Sequence, residues 1–131
     1  MNQQNDIRSR QRFENFKKAL ILYEEAIKPK LSRLEEEGII QRCEYTFELA
    51  WKCLQDLLQE RGYVEIRGPR PVIEQAFQDG IISNGPVWLQ MLKARNETTH
   101  LYDESTFSDI IAQVRASFLS TLQNFRKQFP Q

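Results

Sequence analysis

Arg95, Asn96, Thr99, His100 and Tyr102 fall within RNETTHLY (95–102), at spacings that chemistry can use. Histidine changes charge nearest neutral pH, so His100, the chain's one histidine, can serve as general base or general acid. Arg95 offers a fixed cationic fork for negative charge that develops in a transition state. Asn96, one turn before His100, can orient the imidazole or bind substrate, and Thr99 adds a hydroxyl beside it. On a regular helix Trp88, Arg95, Thr99 and Tyr102 share one line, and Leu89, Leu92, Asn96 and His100 share the next. Both lines start apolar and turn polar at the same height. An arginine and an amide buried without partners are costly, so they require partners, a solvent cleft or a subunit interface. The other reading is that this helix end leaves the core, and its polar residues face water or cap neighbouring helices. Spacing alone leaves both open.

Arg95 and His100 are five residues apart, about 140° around an ideal helix. They converge only through long side-chain reach, a local distortion, or donation across a dimer. Thr98 and Thr99 are weak helix formers and favour a distortion at this point.

The elements that position these residues read as helices throughout. Phe13, Phe16, Leu20, Tyr23 and Ile27 recur at spacings of 3 and 4, with charges on the opposite side. Leu31 and Leu34 prolong that stripe past Pro29, and EEEG (35–38) reads as the turn that follows. A second helix runs from about Ile39 to Arg61, with Gly62 as its stop. Its apolar surface is wide, because Tyr45, Leu49, Trp51 and Leu58 lie outside the narrow stripe. After a short extended segment at 63–71, Val72, Ile73, Ala76 and Phe77 mark a short helix that ends at Gly80. SNGP (83–86) starts the helix that carries RNETTHLY, and Asp103 to Thr106 reads as a cap region. Phe107, Ile111, Val114, Phe118, Leu122, Phe125 and Phe129 then form one last long helix. Four long helices and one short one, joined by short connections, predict an all-α, antiparallel up-and-down four-helix bundle. The length, 131 residues, suits one domain spanning 1–131.

Composition narrows the function classes. Lys and Arg number 18 and Asp and Glu 18, so no overall field recruits nucleic acid or an anionic membrane, although a local basic site remains open. No apolar run reaches membrane-spanning length, and MNQQNDIRSRQRF lacks the apolar core of a signal peptide, so a cytoplasmic location is expected. There is no glycine-rich phosphate loop, paired-cysteine metal spacing or second histidine, so neither a metal site nor a cofactor is expected. Cys43 and Cys53 sit about 15 Å apart along one helix, too far for a mutual disulfide, and read as buried free thiols.

Longer motifs point to a family. R-x4-H-x-Y (Arg95, His100, Tyr102) resembles the signature of the HEPN superfamily of small helical bundles. RFENFKKAL (12–20), QRCEYTFELAWKCLQDLLQERGY (41–63), GPRPVIEQAFQDGII (68–82) and WLQMLKARNETTHLYDE (88–104) are similar to its nucleotidyltransferase substrate-binding branch. The similarity covers almost the whole chain, in order. It implies a bundle that dimerises, often with the R-x4-H helices facing each other, encoded beside a minimal nucleotidyltransferase as a toxin–antitoxin pair. It also implies a metal-independent endoribonuclease, with Arg95 and His100 catalytic and Asn96 and Thr99 at the substrate. Such enzymes activate the ribose 2′-hydroxyl and leave a cyclic phosphate and a free 5′-hydroxyl. The alternative within the same branch is a non-catalytic partner that binds nucleotide or presents substrate to its nucleotidyltransferase. Tyr102 is, by the same resemblance, the acceptor of AMP from the antitoxin. In-line cleavage uses both an acid and a base, and a two-fold homodimer would bring a second His100 and Arg95. Tyr45, Leu49 and Trp51 are the candidate dimer surface, with a broad intramolecular core as the alternative.

Overall fold

The computed structural model describes residues 3–130, and side chains from residue 7 on; Met1, Asn2 and Gln131 of the expected 1–131 domain lie outside the described residues. The fold is all-helical, with no strand among the described residues. Six α-helices follow in order: α1 (Gln3–Ala26), α2 (Arg33–Glu60), α3 (Pro69–Gln78), α4 (Gly85–Glu97), α5 (Glu104–Arg115) and α6 (Ser117–Gln128). A 3-10 turn, Thr98–His100, follows α4. No helix among the described residues is long and apolar enough to cross a membrane.

The α1–α2 hairpin is the frame. Phe13, Phe16, Leu20 and Tyr23 are buried at the expected helical spacing. Arg12 reaches Asp56 at 2.9 Å while Arg42 reaches the Leu22 carbonyl at 2.6 Å, so the two helices run antiparallel. The expected turn at EEEG lies inside α2 instead. Ser32 and Glu35 form a reciprocal capping box, so the helix starts at Arg33. Glu35 and Glu36 then occupy the first turn, where the helix dipole favours acids. Leu34 belongs to this new helix rather than to the α1 stripe, and it is 79% exposed. Gly62, at φ 99°, follows the C-terminus of α2 in the left-handed region that favours glycine, as expected.

Two further expectations change. Phe77 does not join Val72, Ile73 and Ala76 in the core but lies at the surface, its ring over Gly85. A Cβ at Gly85 would stand 2.6 Å from Phe77 Cγ, so glycine is what lets α4 start this close to α3. The last long helix is interrupted at Ala116 (φ −122°, ψ −90°), which separates α5 from α6. Both halves remain apolar inward: Phe107, Ile110, Ile111 and Val114, then Phe118, Leu122 and Phe125.

All six helices contribute to one apolar core. Trp88 of α4 is 1% exposed and packs against Phe47 of α2 and edge-on to Phe125 of α6. That packing fixes α4, and with it the segment that follows.

Candidate functional site

Buried Trp88, Met91, Leu92 and Ala94 anchor α4 up to the residue before Arg95. The helix then ends at Glu97, so the regular helix expected through Tyr102 is not formed. The Thr98 hydroxyl donates to the Arg95 carbonyl at 2.9 Å and competes with helical bonding, and Thr98–His100 tightens to a 3-10 turn. Downstream, the Asp103 carboxylate accepts from the Thr106 backbone N–H at 3.0 Å and caps α5. The distortion expected at Thr98 and Thr99 is therefore present. Tyr102 lies beyond it and no longer shares a helical line with Arg95.

Arg95 is half-buried and faces α2. Its Nε lies 2.6 Å from Glu48 Oε1, and the Trp51 indole N–H donates to Glu48 Oε2 at 2.9 Å. The ion pair lies off the hydrogen-bonding line, and Glu48 Oε1 is buried without a hydrogen bond. Close approach of opposite charges is what compensates its burial. Only the Nε edge of the guanidinium is engaged, and the two Nη groups make no hydrogen bond among the described residues. One glutamate thus meets the arginine at its Nε edge.

His100 and Tyr102 come together. Nδ1 lies 3.1 Å from the Tyr102 hydroxyl, and the rings meet edge-on. Which atom donates depends on the imidazole tautomer. Both side chains are exposed, Tyr102 to 79%. Asp103 adds an anionic neighbour: hydrogen bonds from Ser105 and Thr106, and then the nearby His100, hold its carboxyl below the usual carboxylate range. Asn96 and Thr99 are exposed and make no side-chain hydrogen bond among the described residues. The chain brings His100 and Tyr102 into contact and ties Arg95 to Glu48; no bond joins these two pairs.

Sequence reasoning missed the α2 residues that hold this segment. Glu48 holds Arg95, Glu44 accepts from the Thr98 hydroxyl at 3.1 Å, and Arg33 donates to the Leu101 carbonyl at 2.7 Å. Positions 33, 37, 44 and 48 recur at intervals of 4, 7 and 4, so they share one helix face. The signal was there: charged residues at helical spacing between the apolar positions of a long helix. A shallow groove of about 400 Å³ runs along this face, lined by Leu34, Gly38, Gln41, Glu44, Thr98 and Leu101 among others. A larger one, about 490 Å³, lies between the start of α1 and the end of α2 and contains none of the candidate site residues.

Comparison with known proteins decides the family. The nucleotidyltransferase substrate binding protein like family matches residues 11–131. The chain belongs to that family, a branch of the HEPN superfamily. No curated protein matches. A crystal structure of a protein from Thermus thermophilus is similar at 32% identity and a TM-score of 0.72, over 83% of this chain and 96% of that one.

The remaining candidates in this HEPN chain are structural. Cys43 and Cys53 are free and buried, and burial pushes both thiols up to about 12, far from a reactive thiolate. Trp51, proposed for a dimer surface, is 7% exposed within one chain, and Leu58 is fully buried. Much of the wide apolar surface of α2 is therefore spent on the protomer's own core. Tyr45 and Leu49 remain half-buried.

Proposed function

We propose that this HEPN chain is a ribonuclease toxin whose Arg95 and His100 act at a homodimer interface, held in check by a small nucleotidyltransferase. The arrangement suited to this is a single up-and-down four-helix bundle, with α5 and α6 together as its broken fourth member. One observation carries the reading: His100 stands exposed with Nδ1 on Tyr102, while Arg95 is held by Nε alone. His100 Nε2 is thereby left to exchange a proton with substrate. The Nη groups of Arg95 are left for the phosphate.

In the reaction, the ribose 2′-oxygen attacks the adjacent phosphorus as one His100 takes its proton. The bond to the 5′-oxygen breaks, and that oxygen takes a proton from the second His100 of the dimer. The products are a 2′,3′-cyclic phosphate and a 5′-hydroxyl. Asn96 and Thr99, both exposed, contact the RNA. No step draws on a metal ion.

A second reading is favoured by the separation of the two pairs. Arg95 turns to α2 and His100 to Tyr102, an arrangement that suits binding a nucleotide for a partner enzyme without cleaving it. Cleavage of labelled RNA separates the two. His100→Ala and Arg95→Ala should each lower the rate by about 10²–10⁴-fold with helical content intact. Nucleotide binding that depends on Arg95, with no cleavage by the wild type, selects the second reading.

The exposure of Tyr102 fits its expected modification. Its hydroxyl attacks the α-phosphorus of ATP, loses its proton, and pyrophosphate leaves. The resulting phosphodiester removes the Tyr102 hydroxyl from His100 and adds bulk and negative charge beside it. Co-expression with a cognate nucleotidyltransferase should add AMP to the intact mass of the wild type and none to Tyr102→Phe. An unmodified wild type beside an active partner refutes the acceptor role.

A further inference from the structure

We infer that Arg33 is the positioning residue of the His100–Tyr102 site, clamping the turn between α4 and α5 from the first residue of α2. All parts of its guanidinium are committed. Nη2 donates to the Leu101 carbonyl at 2.7 Å, Nη1 pairs with Glu104 at 2.8 Å, and Nε pairs with Glu37 at 3.1 Å. Its Cζ lies over the Phe107 ring, 3.6 Å from the ring centre. Leu101 stands between His100 and Tyr102, so its carbonyl is held at the midpoint of the pair. Glu104 and Phe107 belong to the first turn of α5, so one side chain fixes the turn and the helix that leaves it.

The clamp adds to the turn's own restraints, which are the 3-10 turn at Thr98–His100, Leu101 packed against the core, and the Asp103 N–H on the His100 carbonyl at 3.0 Å. The Thr98–Glu44 contact lies before His100, and the Asp103 cap lies after Tyr102. A guanidinium suits the task because it is flat and forked: it serves three acceptors in one plane while stacking on an aromatic ring. A lysine keeps the charge and loses the fork and the stack. The start of α2 does not depend on this side chain, since Ser32 and Glu35 supply the capping box.

The catalytic consequence rests on the proposed ribonuclease reading, whereas the conformational one does not. In full-length Arg33→Ala and Arg33→Lys, amide exchange at 99–103 should quicken by at least about tenfold, with the rest of α2 unchanged. The His100 ring nitrogen signals should shift as its contact with Tyr102 loosens. In RNA cleavage, kcat should fall towards about 10²-fold, more than KM changes, and lysine should not restore it. If Arg33→Ala unfolds, Arg33→Lys decides alone. Unchanged exchange and unchanged His100 signals overturn the clamp, and so does a uniform rise in exchange or full rescue by lysine. A wild type that cleaves no RNA refutes the ribonuclease reading, while exchange and the His100 spectrum still decide the clamp.

Discussion

Arg95 illustrates how one contact can prepare a residue for chemistry. Glu48 approaches its Nε, and Trp51 fixes the other carboxylate oxygen. In the proposed ribonuclease the guanidinium is thereby oriented before substrate arrives, which lowers the cost of ordering it later. Glu48→Ala removes that orientation and should reduce cleavage on the order of 10²-fold. Glu48→Gln should lose less, because its one amide oxygen can still accept from Arg95 Nε, at the cost of the Trp51 contact. Steady-state rates for the two variants test this. Equal losses would show that Glu48 acts through its charge rather than by placing Arg95. The polar character of 95–102 was legible in the sequence because polar types replaced apolar ones on a helix stripe, whereas the pairing of His100 with Tyr102 and of Arg95 with Glu48 was not. Glu48 carried a weaker signal, a charge at helical spacing with Arg33, Glu37 and Glu44, which a solvated face of a long helix shows as well.

Helix ends separate what the sequence discloses from what it hides. Gly62 and the Asp103 cap were legible, because local chemistry alone ends one helix and starts another. Ser32 and Glu35 carried an equally local signal at 32–35, but Pro29 and EEEG suggested a later start. The break at Ala116 has no such signal: alanine is the best helix former, and neither proline nor glycine is near. The tertiary frame around it is visible instead, with the Tyr23 hydroxyl on the Val114 carbonyl and Arg115 on the Lys28 carbonyl. The cap that follows the candidate site is testable through pH. The carboxyl of Asp103 lies below its ordinary value of 3.8 in the fold. Its stabilisation is thus present above the unfolded value and lost as pH falls through the lowered one. Amide exchange in the first turn of α5, corrected for intrinsic rates, should rise over that acidic interval before the core opens. Asp103→Asn should flatten the dependence, and the same dependence in both proteins would assign it elsewhere.

At the scale of the whole molecule, the fold commits most of its aromatic residues to one core and leaves the 95–104 segment on an outer face of α2. The proposed cleavage would draw its acid and its base from two copies of a chain that has one histidine. Light scattering at micromolar concentration should therefore show a dimer, and a monomer would defeat the two-histidine mechanism. The burial of Trp51 leaves only Tyr45 and Leu49 of the surface first assigned to that contact. The most direct test of the ribonuclease assignment is chemical. Purified wild type and His100→Ala are incubated with a defined RNA in EDTA, and the ends formed are identified by mass spectrometry. The account predicts 2′,3′-cyclic phosphate and 5′-hydroxyl ends from the wild type, reduced by about 10²-fold or more in the variant. Intact RNA with the wild type, or the same ends at the same rate from His100→Ala, would contradict it.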